Sequence, residues 1–403
     1  MNSIIGIIWV EAISLILLYI LYSFKEIRVV LIIALISRLT LLILSDYLRL
    51  PDISDSHAFE EFAWIKSQGG LSEGILKNFR FFGSEFFSSF LAFFYLFLPR
   101  EVLLLSLISV VVSLLVIVQA WKVLVENCGR IFAKNSVYFL AIFPSFLIYS
   151  VQPLREVWVV LFLIMGIKYA LNWFDSGNNI SAILASIFFV IASFFHEGMM
   201  LVFSMFILFY LCNITFKTKF TISQLLSLVI FIPLVAVFFS AIFLGSINLA
   251  KLGGGDLSNL INYEYYMYYF NSRMSGSASY PAHINPSSAV DFIWAIPLRL
   301  IYFLFSPFIL DIFNNIRIID LFGLIDALIY LIIFVYILKN LKYIAMNKKS
   351  KFLLFILMPV ILAFSIGVGN YGTAIRHRAK FIIVFLLLLG LKNKFNQPTN
   401  NRD

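Results

Sequence analysis

The densest chemistry in the sequence lies near its end, in the run Gly369-Asn370-Tyr371-Gly372-Thr373-Ala374-Ile375-Arg376-His377-Arg378, with Lys380 just beyond. Four cationic or titratable groups stand there at the mouth of an apolar run. Charge beside lipid costs several kcal/mol unless a partner or ligand offsets it, roughly as measured for single polar groups. Guanidinium groups pair bidentately with phosphate, so the cluster points to an anionic ligand near the headgroups, such as a polyprenyl diphosphate. Lipid-headgroup binding alone is the plainer alternative.

Other candidates are spread along the chain. Asp52 and Asp55 follow the second apolar run, and a carboxylate there suits a general base or a cation on a diphosphate; turn and N-cap chemistry is the plainer account. Arg155, in Pro153-Leu154-Arg155-Glu156, stands where a helix begins; it can meet phosphate or simply cap the helix beside Glu156. His196-Glu197-Gly198 places an imidazole and a carboxylate in one tight turn, fit for proton transfer or merely solvated. No second histidine follows at helical spacing, so the turn is not a zinc-protease motif. Arg299 beside Pro297 is a further substrate-binding candidate, and Glu11 with Arg38 reads as a pair neutralising itself inside a bundle.

These groups need a scaffold, and the composition names it. The chain is 403 residues long, 62% hydrophobic and 13% charged, a balance that fits a bilayer and not a water-soluble core. The runs are long and continuously apolar, which excludes the alternating strands of a barrel and predicts an all-α fold. About ten to twelve transmembrane helices are expected at roughly 20 residues each: 4–23, 28–45, 102–121, 137–152, 157–173, 180–195, 198–214, 221–245, 318–338, 352–368 and 379–391. The whole chain is read as one transmembrane domain.

The net charge of +9 does not imply nucleic acid, because Lys and Arg are scattered over short loops as topology signals. Lys25/Arg28, Lys122/Arg130/Lys134, Lys217/Lys219, the lysines from Lys339 to Lys351 and Lys392/Lys394 are then cytoplasmic. Segments 46–83, 246–291 and 369–378 fall outside. That parity leaves one apolar run too many, and 84–98 is read as re-entrant or interfacial; 288–310, punctuated by Asp291, Pro297, Arg299 and Pro307, reads as interfacial or broken.

The first long external loop, 46–83, carries Ala58, Phe59, Phe62, Ala63 and Ile65 at helical spacing, with Glu60 and Glu61 in the first turn, and predicts a capped amphipathic interfacial helix. The second, 246–291, holds Gly253-Gly254-Gly255 and a tyrosine cluster; with no strand before it and no Lys-Ser/Thr after it, the glycine run is not a phosphate loop. Cys128 and Cys212 have neither disulfide nor metal spacing. The first apolar run lacks a basic leader and a cleavage site, so it is expected to stay as helix one.

Taken in order, Pro51-Asp52 to Glu61, Phe143-Pro144-Ser145 to Arg155-Glu156, Phe195-His196-Glu197-Gly198-Met199 and Gly372 to Arg378 resemble the integral-membrane glycosyltransferases of the GT-C type and the bacterial O-antigen and exopolysaccharide polymerases. The resemblance implies transfer of a sugar or oligosaccharide from a polyprenyl-linked donor at the periplasmic face of the inner membrane. It implies Asp52 or Asp55 as base or metal-holding carboxylate, Arg155, Arg376 and Arg378 on the donor diphosphate, and His196 or His377 activating the acceptor hydroxyl or stabilising the leaving group. Lys380 and Arg299 join the substrate-binding set. The chain lacks the C-terminal soluble domain and the adjacent acidic pair of metal-dependent GT-C enzymes, which favours a polymerase working without a cofactor. A single-sugar transferase would call for a divalent cation. Expected partners are the lipid-linked glycan donor and acceptor, membrane lipids and a chain-length regulator protein, with no nucleic acid. A flippase for the same glycan is the rival from another class, disfavoured because the chain shows no internal repeat and its charges gather at one face.

Overall fold

The computed structural model describes residues 2–45, 54–77, 79–215, 278–281, 284–286, 288, 290–312 and 318–395. These residues are all-α. Five helices are long and apolar enough to cross a membrane: Lys25–Leu44, Val102–Cys128, Glu156–Ser176, Asp320–Lys339 and Lys348–Gly367. Shorter apolar helices cover Ile8–Ser23, Asn179–Phe195, Glu197–Asn213 and Ile293–Phe305. Large aliphatic side chains such as Leu15, Ile43 and Ile332 face outward, a surface suited to lipid and not to water. The protein is therefore a multi-pass helical membrane protein. The expected span 221–245, most of the loop 246–291, and Asp52 lie outside the described residues.

The chain divides into two compact units. The first comprises Met1–Met165, Ile191–His196 and Ile383–Asp403. Its helices are α1 (Asn2–Ser23), α2 (Arg28–Leu44), α3 (Ser54–Gln68), α4 (Gly83–Tyr95), α5 (Val102–Cys128), α6 (Arg130–Ile142), α7 (Pro144–Tyr149) and the start of α8 (Glu156–Ser176). The end of α9 (Asn179–Phe195) also belongs here. Helix α2 packs on α5, α6 and α7, α1 lies on α5, and α3 lies along α4. The final helix, Ile382–Phe395, comes so close to the α5–α6 junction that a Cβ on Gly390 would stand 2.5 Å from Cys128 Sγ. Only glycine permits that approach.

The second unit comprises Gly166–Val190 and Glu197–Ile382. It adds α10 (Met200–Thr215), α11 (Phe292–Phe305), α12 (Ile309–Ile312), α13 (Ile318–Lys339), α14 (Leu341–Met346), α15 (Lys348–Gly367) and α16 (Tyr371–Arg378), which make the helix Ile382–Phe395 α17. Helix α15 packs on α10, α11 and α16, and α11 also meets α13 and α16. Trp173, Phe209 and Phe352 are part of the aromatic filling.

Three expectations change. The predicted span 137–152 is two helices, because Phe143 turns extended and Pro144 restarts the chain; proline has no N–H to continue the ladder. Helix α3 forms, but it begins at Ser54, so Asp55 and not Glu60 or Glu61 stands in its first turn; Phe59, Glu60 and Ala63 are buried while Phe62 and Ile65 are exposed. Glu11 is exposed and does not neutralise Arg38. By contrast α4 is a 13-residue helix and α11 a 14-residue helix containing Pro297, both too short to span about 30 Å of hydrocarbon.

Candidate functional site

The predicted residues fall into two sets, one per unit. In the first unit, α9 ends at Phe195 and His196 N still donates to Ala192 O at 3.0 Å. Arg155, just ahead of α8, reaches the Phe195 carbonyl with Nη1 at 3.5 Å, and its guanidinium lies 5.6 Å from the Phe59 ring centroid. Arg155 and His196 are thus neighbours, both buried. Below them Phe86, Phe90, Trp158, Phe162 and Phe195 form a wall of stacked and edge-on rings. Asp55 sits half-buried in the first turn of α3, a position that favours a carboxylate through the helix dipole.

The second set is built around α16. Helix α15 stops at Gly367, Val368 turns extended, and Asn370 starts the next helix by accepting from Thr373 N at 2.8 Å. The short stretch 278–280 pins this break: Tyr280 N donates to Gly369 O and Tyr371 N to Ala278 O. Arg376, His377 and Arg378 follow in one helical turn, so they point to different sides.

Arg378 is fully buried. Its Nε donates to Asp326 Oδ2 at 2.6 Å, Nη2 to Gly323 O at 3.2 Å, and Nη1 to the carbonyls of Phe303, Leu304 and Ser306. Its guanidinium is spent on the protein itself. The reason lies at the end of α11: Phe303 O would normally accept from residue 307, which is Pro307, and Phe308 N is taken by Asp311. A guanidinium supplies the donors that the chain cannot.

Arg299 does the same for α15, donating to Ile366 O at 3.0 Å, to Val368 O at 2.6 Å and to Asn285 Oδ1. These two predicted ligand-binding arginines hold helix ends. Arg376 is half-buried.

His377 and Lys380, spaced i, i+3, meet face to face. Lys380 Nζ lies 2.6 Å from His377 Nδ1, and both side chains are buried. Phe364 covers them, with its ring 4.8 Å from the imidazole and 5.3 Å from the ammonium nitrogen. Two unit charges at such a distance would repel by several kcal/mol at an effective dielectric of about 20.

Two clusters have partners that the sequence does not disclose. Glu60 accepts from Tyr95 Oη at 2.8 Å and from Arg100 through both carboxylate oxygens, while Arg100 stacks over Trp64. Burial alone would raise the Glu60 carboxyl, but the hydrogen bonds from Arg100 and Tyr95 outweigh it and hold the carboxyl below its usual range. Its position on the Phe59–Ala63 face of α3 was the available signal. The other is Arg38, whose Nη1 donates to Ala34 O and Ala141 O while Nε and Nη2 stay buried without a protein acceptor.

Among the described residues no three His, Cys, Asp or Glu side chains gather as metal ligands would. The fold and these sites define a multi-pass helical membrane protein with buried cationic groups. Comparison with protein-family models, with curated proteins and with solved structures finds no match to any of them.

Proposed function

We propose that the chain is a glycosyltransferase of the surface-polysaccharide polymerase type, joining polyprenyl-diphosphate-linked repeat units at the periplasmic face of a bacterial inner membrane. The observation that carries this reading is the cationic turn Arg376-His377-Arg378 at the end of α16, in which Arg376 is the half-buried member. Of the arginines expected to bind substrate, Arg155, Arg299 and Arg378 are buried, whereas Arg376 is half-buried. Bidentate pairing with a diphosphate is what a guanidinium in such a place does best. Asp52 and Asp55 keep the base or metal-holding role only in the single-sugar alternative.

The test is the surface glycan of a strain lacking the gene, complemented with wild type or Arg376→Ala. A polymerase leaves one repeat unit on the lipid core in the deletion and in the variant. A full-length ladder missing one sugar indicates a single-sugar transferase. Lipid-linked intermediates trapped on the inner leaflet indicate a flippase. Either of the last two outcomes overturns the reading.

A further inference from the structure

We propose that the connection between α13 and α15 is a binding site for anionic phospholipid headgroups, formed by the exposed lysines and apolar side chains on and around α14. The site lies at the opposite end of α15 from α16 and is independent of any glycan chemistry there.

Lys339, Lys342, Lys348, Lys349 and Lys351 fall within one short stretch, and from Ala327 to Arg402 the sequence carries no aspartate or glutamate. A topology signal needs positive charge on one side of a span, but it does not need that charge held in a fixed shape. The structure fixes it. Helix α13 crosses as far as Lys339 and α15 begins at Lys348, so both spans end at the same membrane face with only residues 340–347 between them. Helix α14 (Leu341–Met346) fills that interval.

Both bends beside α14 are pinned. Asn340 Nδ2 donates to Tyr336 O at 2.7 Å, and Asn347 Oδ1 caps α15 by accepting from Ser350 N at 3.1 Å. Ile344 is buried, whereas Leu341, Tyr343 and Met346 are exposed. A short helix that joins two span ends lies at headgroup depth, and exposed apolar groups alternating with lysines are what an anionic lipid surface attracts.

The charge on this surface is uncompensated. Lys349 is paired with Asp175, near the end of α8, at 2.6 Å. Lys339, Lys342, Lys348 and Lys351 are exposed, and among the described residues no carboxylate pairs with them. The first turn of α15 holds no acidic residue, so its lysines stand at the positive end of the helix dipole, where cations are disfavoured. An anionic headgroup offsets both costs. Lysine meets phosphate as a flexible point charge and not as a rigid fork, so the site selects lipids by net charge: phosphatidylglycerol is held, and phosphatidylcholine, which carries its own cation, is not.

Unfolding midpoints of the full-length protein in mixed micelles test this, because a lipid bound to the folded state raises the midpoint. Phosphatidylglycerol at rising mole fraction should raise it saturably, and phosphatidylcholine should not. Each of Lys339→Gln, Lys342→Gln, Lys348→Gln and Lys351→Gln should weaken the apparent affinity roughly fivefold, the equivalent of about 1 kcal/mol per cation at an anionic surface. The four combined should abolish the rise, and the same four positions changed to Arg should keep it. Equal responses to the two lipids, a full response in the combined Gln variant, or the same rise with inorganic phosphate in place of lipid overturns the proposal. If the combined Gln variant does not fold, wild type in about 1 M salt decides, where the Debye length is about 3 Å: a phosphatidylglycerol response that survives such screening overturns it.

Discussion

Arg38 Nη1 donates to the carbonyl oxygen of Ala141 at 2.9 Å, three residues ahead of the proline that separates α6 from α7. In an unbroken helix that carbonyl would accept from the N–H of residue 145. The break removes the donor, and in a bilayer no water replaces it. Arg299 at the end of α15 and Arg378 at the end of α11 repeat the relationship with carbonyls of Ile366, Val368, Phe303 and Leu304. Helix C-termini are also the negative ends of their dipoles, so a buried cation is favoured there twice over.

This account makes Arg38 and Pro144 energetically coupled. Arg38→Met should destabilise the detergent-solubilised protein by about 1–3 kcal/mol, the usual penalty for an orphaned buried polar group. In a Pro144→Ala background, where the ladder can close, the same change should cost clearly less. A double-mutant cycle on unfolding midpoints measures the difference. Additive effects would show that Arg38 does not substitute for the lost backbone donor.

The buried pair of Arg378 and Asp326 has the sharper expectation. Both side chains are fully buried, so Asp326→Asn leaves a cation unmatched in the interior and should cost roughly 3–5 kcal/mol. Arg378→Met combined with Asp326→Leu should recover part of that stability and no more, since the α11 carbonyls stay unsatisfied. Thermal unfolding in one detergent compares the variants. A double variant less stable than Asp326→Asn alone would contradict this division of roles.

The contrast between what the sequence disclosed and what it hid follows the same physics. Apolar runs around α2, α5, α8, α13 and α15 are legible because spanning the hydrocarbon demands length and hydrophobicity together. Arginine in an apolar run is legible as a functional or structural anomaly, yet the sequence cannot tell whether its partner is a ligand or a carbonyl distant along the chain. Arg378 and Phe303 are 75 positions apart. Pro144 and Pro307 each mark a helix end in want of donors, but not which arginine supplies them. On α3, Glu60 is buried against its partners Tyr95 and Arg100, which no local periodicity reveals.

Glu60 gives a pH prediction. Its folded carboxyl is held below the usual range, so it contributes stability above its unfolded value of about 4.3. That contribution is lost as pH falls through the folded value. Glu60→Gln should therefore lower the unfolding midpoint near neutral pH, and the gap from wild type should narrow once the pH drops below about 4.3. A gap independent of pH would mean that shape, not charge, is what Glu60 contributes.

The helix-end role also predicts how neighbouring arginines separate in experiment. Arg299 donates to two carbonyls and to Asn285, so Arg299→Ala should lower stability by a few kcal/mol through its orphaned acceptors. Arg376 is half-buried on α16, and Arg376→Ala should shift stability less than Arg299→Ala does. Activity should divide the other way: glycan extension is lost in Arg376→Ala at normal protein levels, whereas Arg299→Ala loses it only in step with folded protein. Measuring extension per folded molecule, with unfolding midpoints alongside, tests both halves. If Arg376→Ala retained full extension, the guanidinium on α16 would have no ligand to hold.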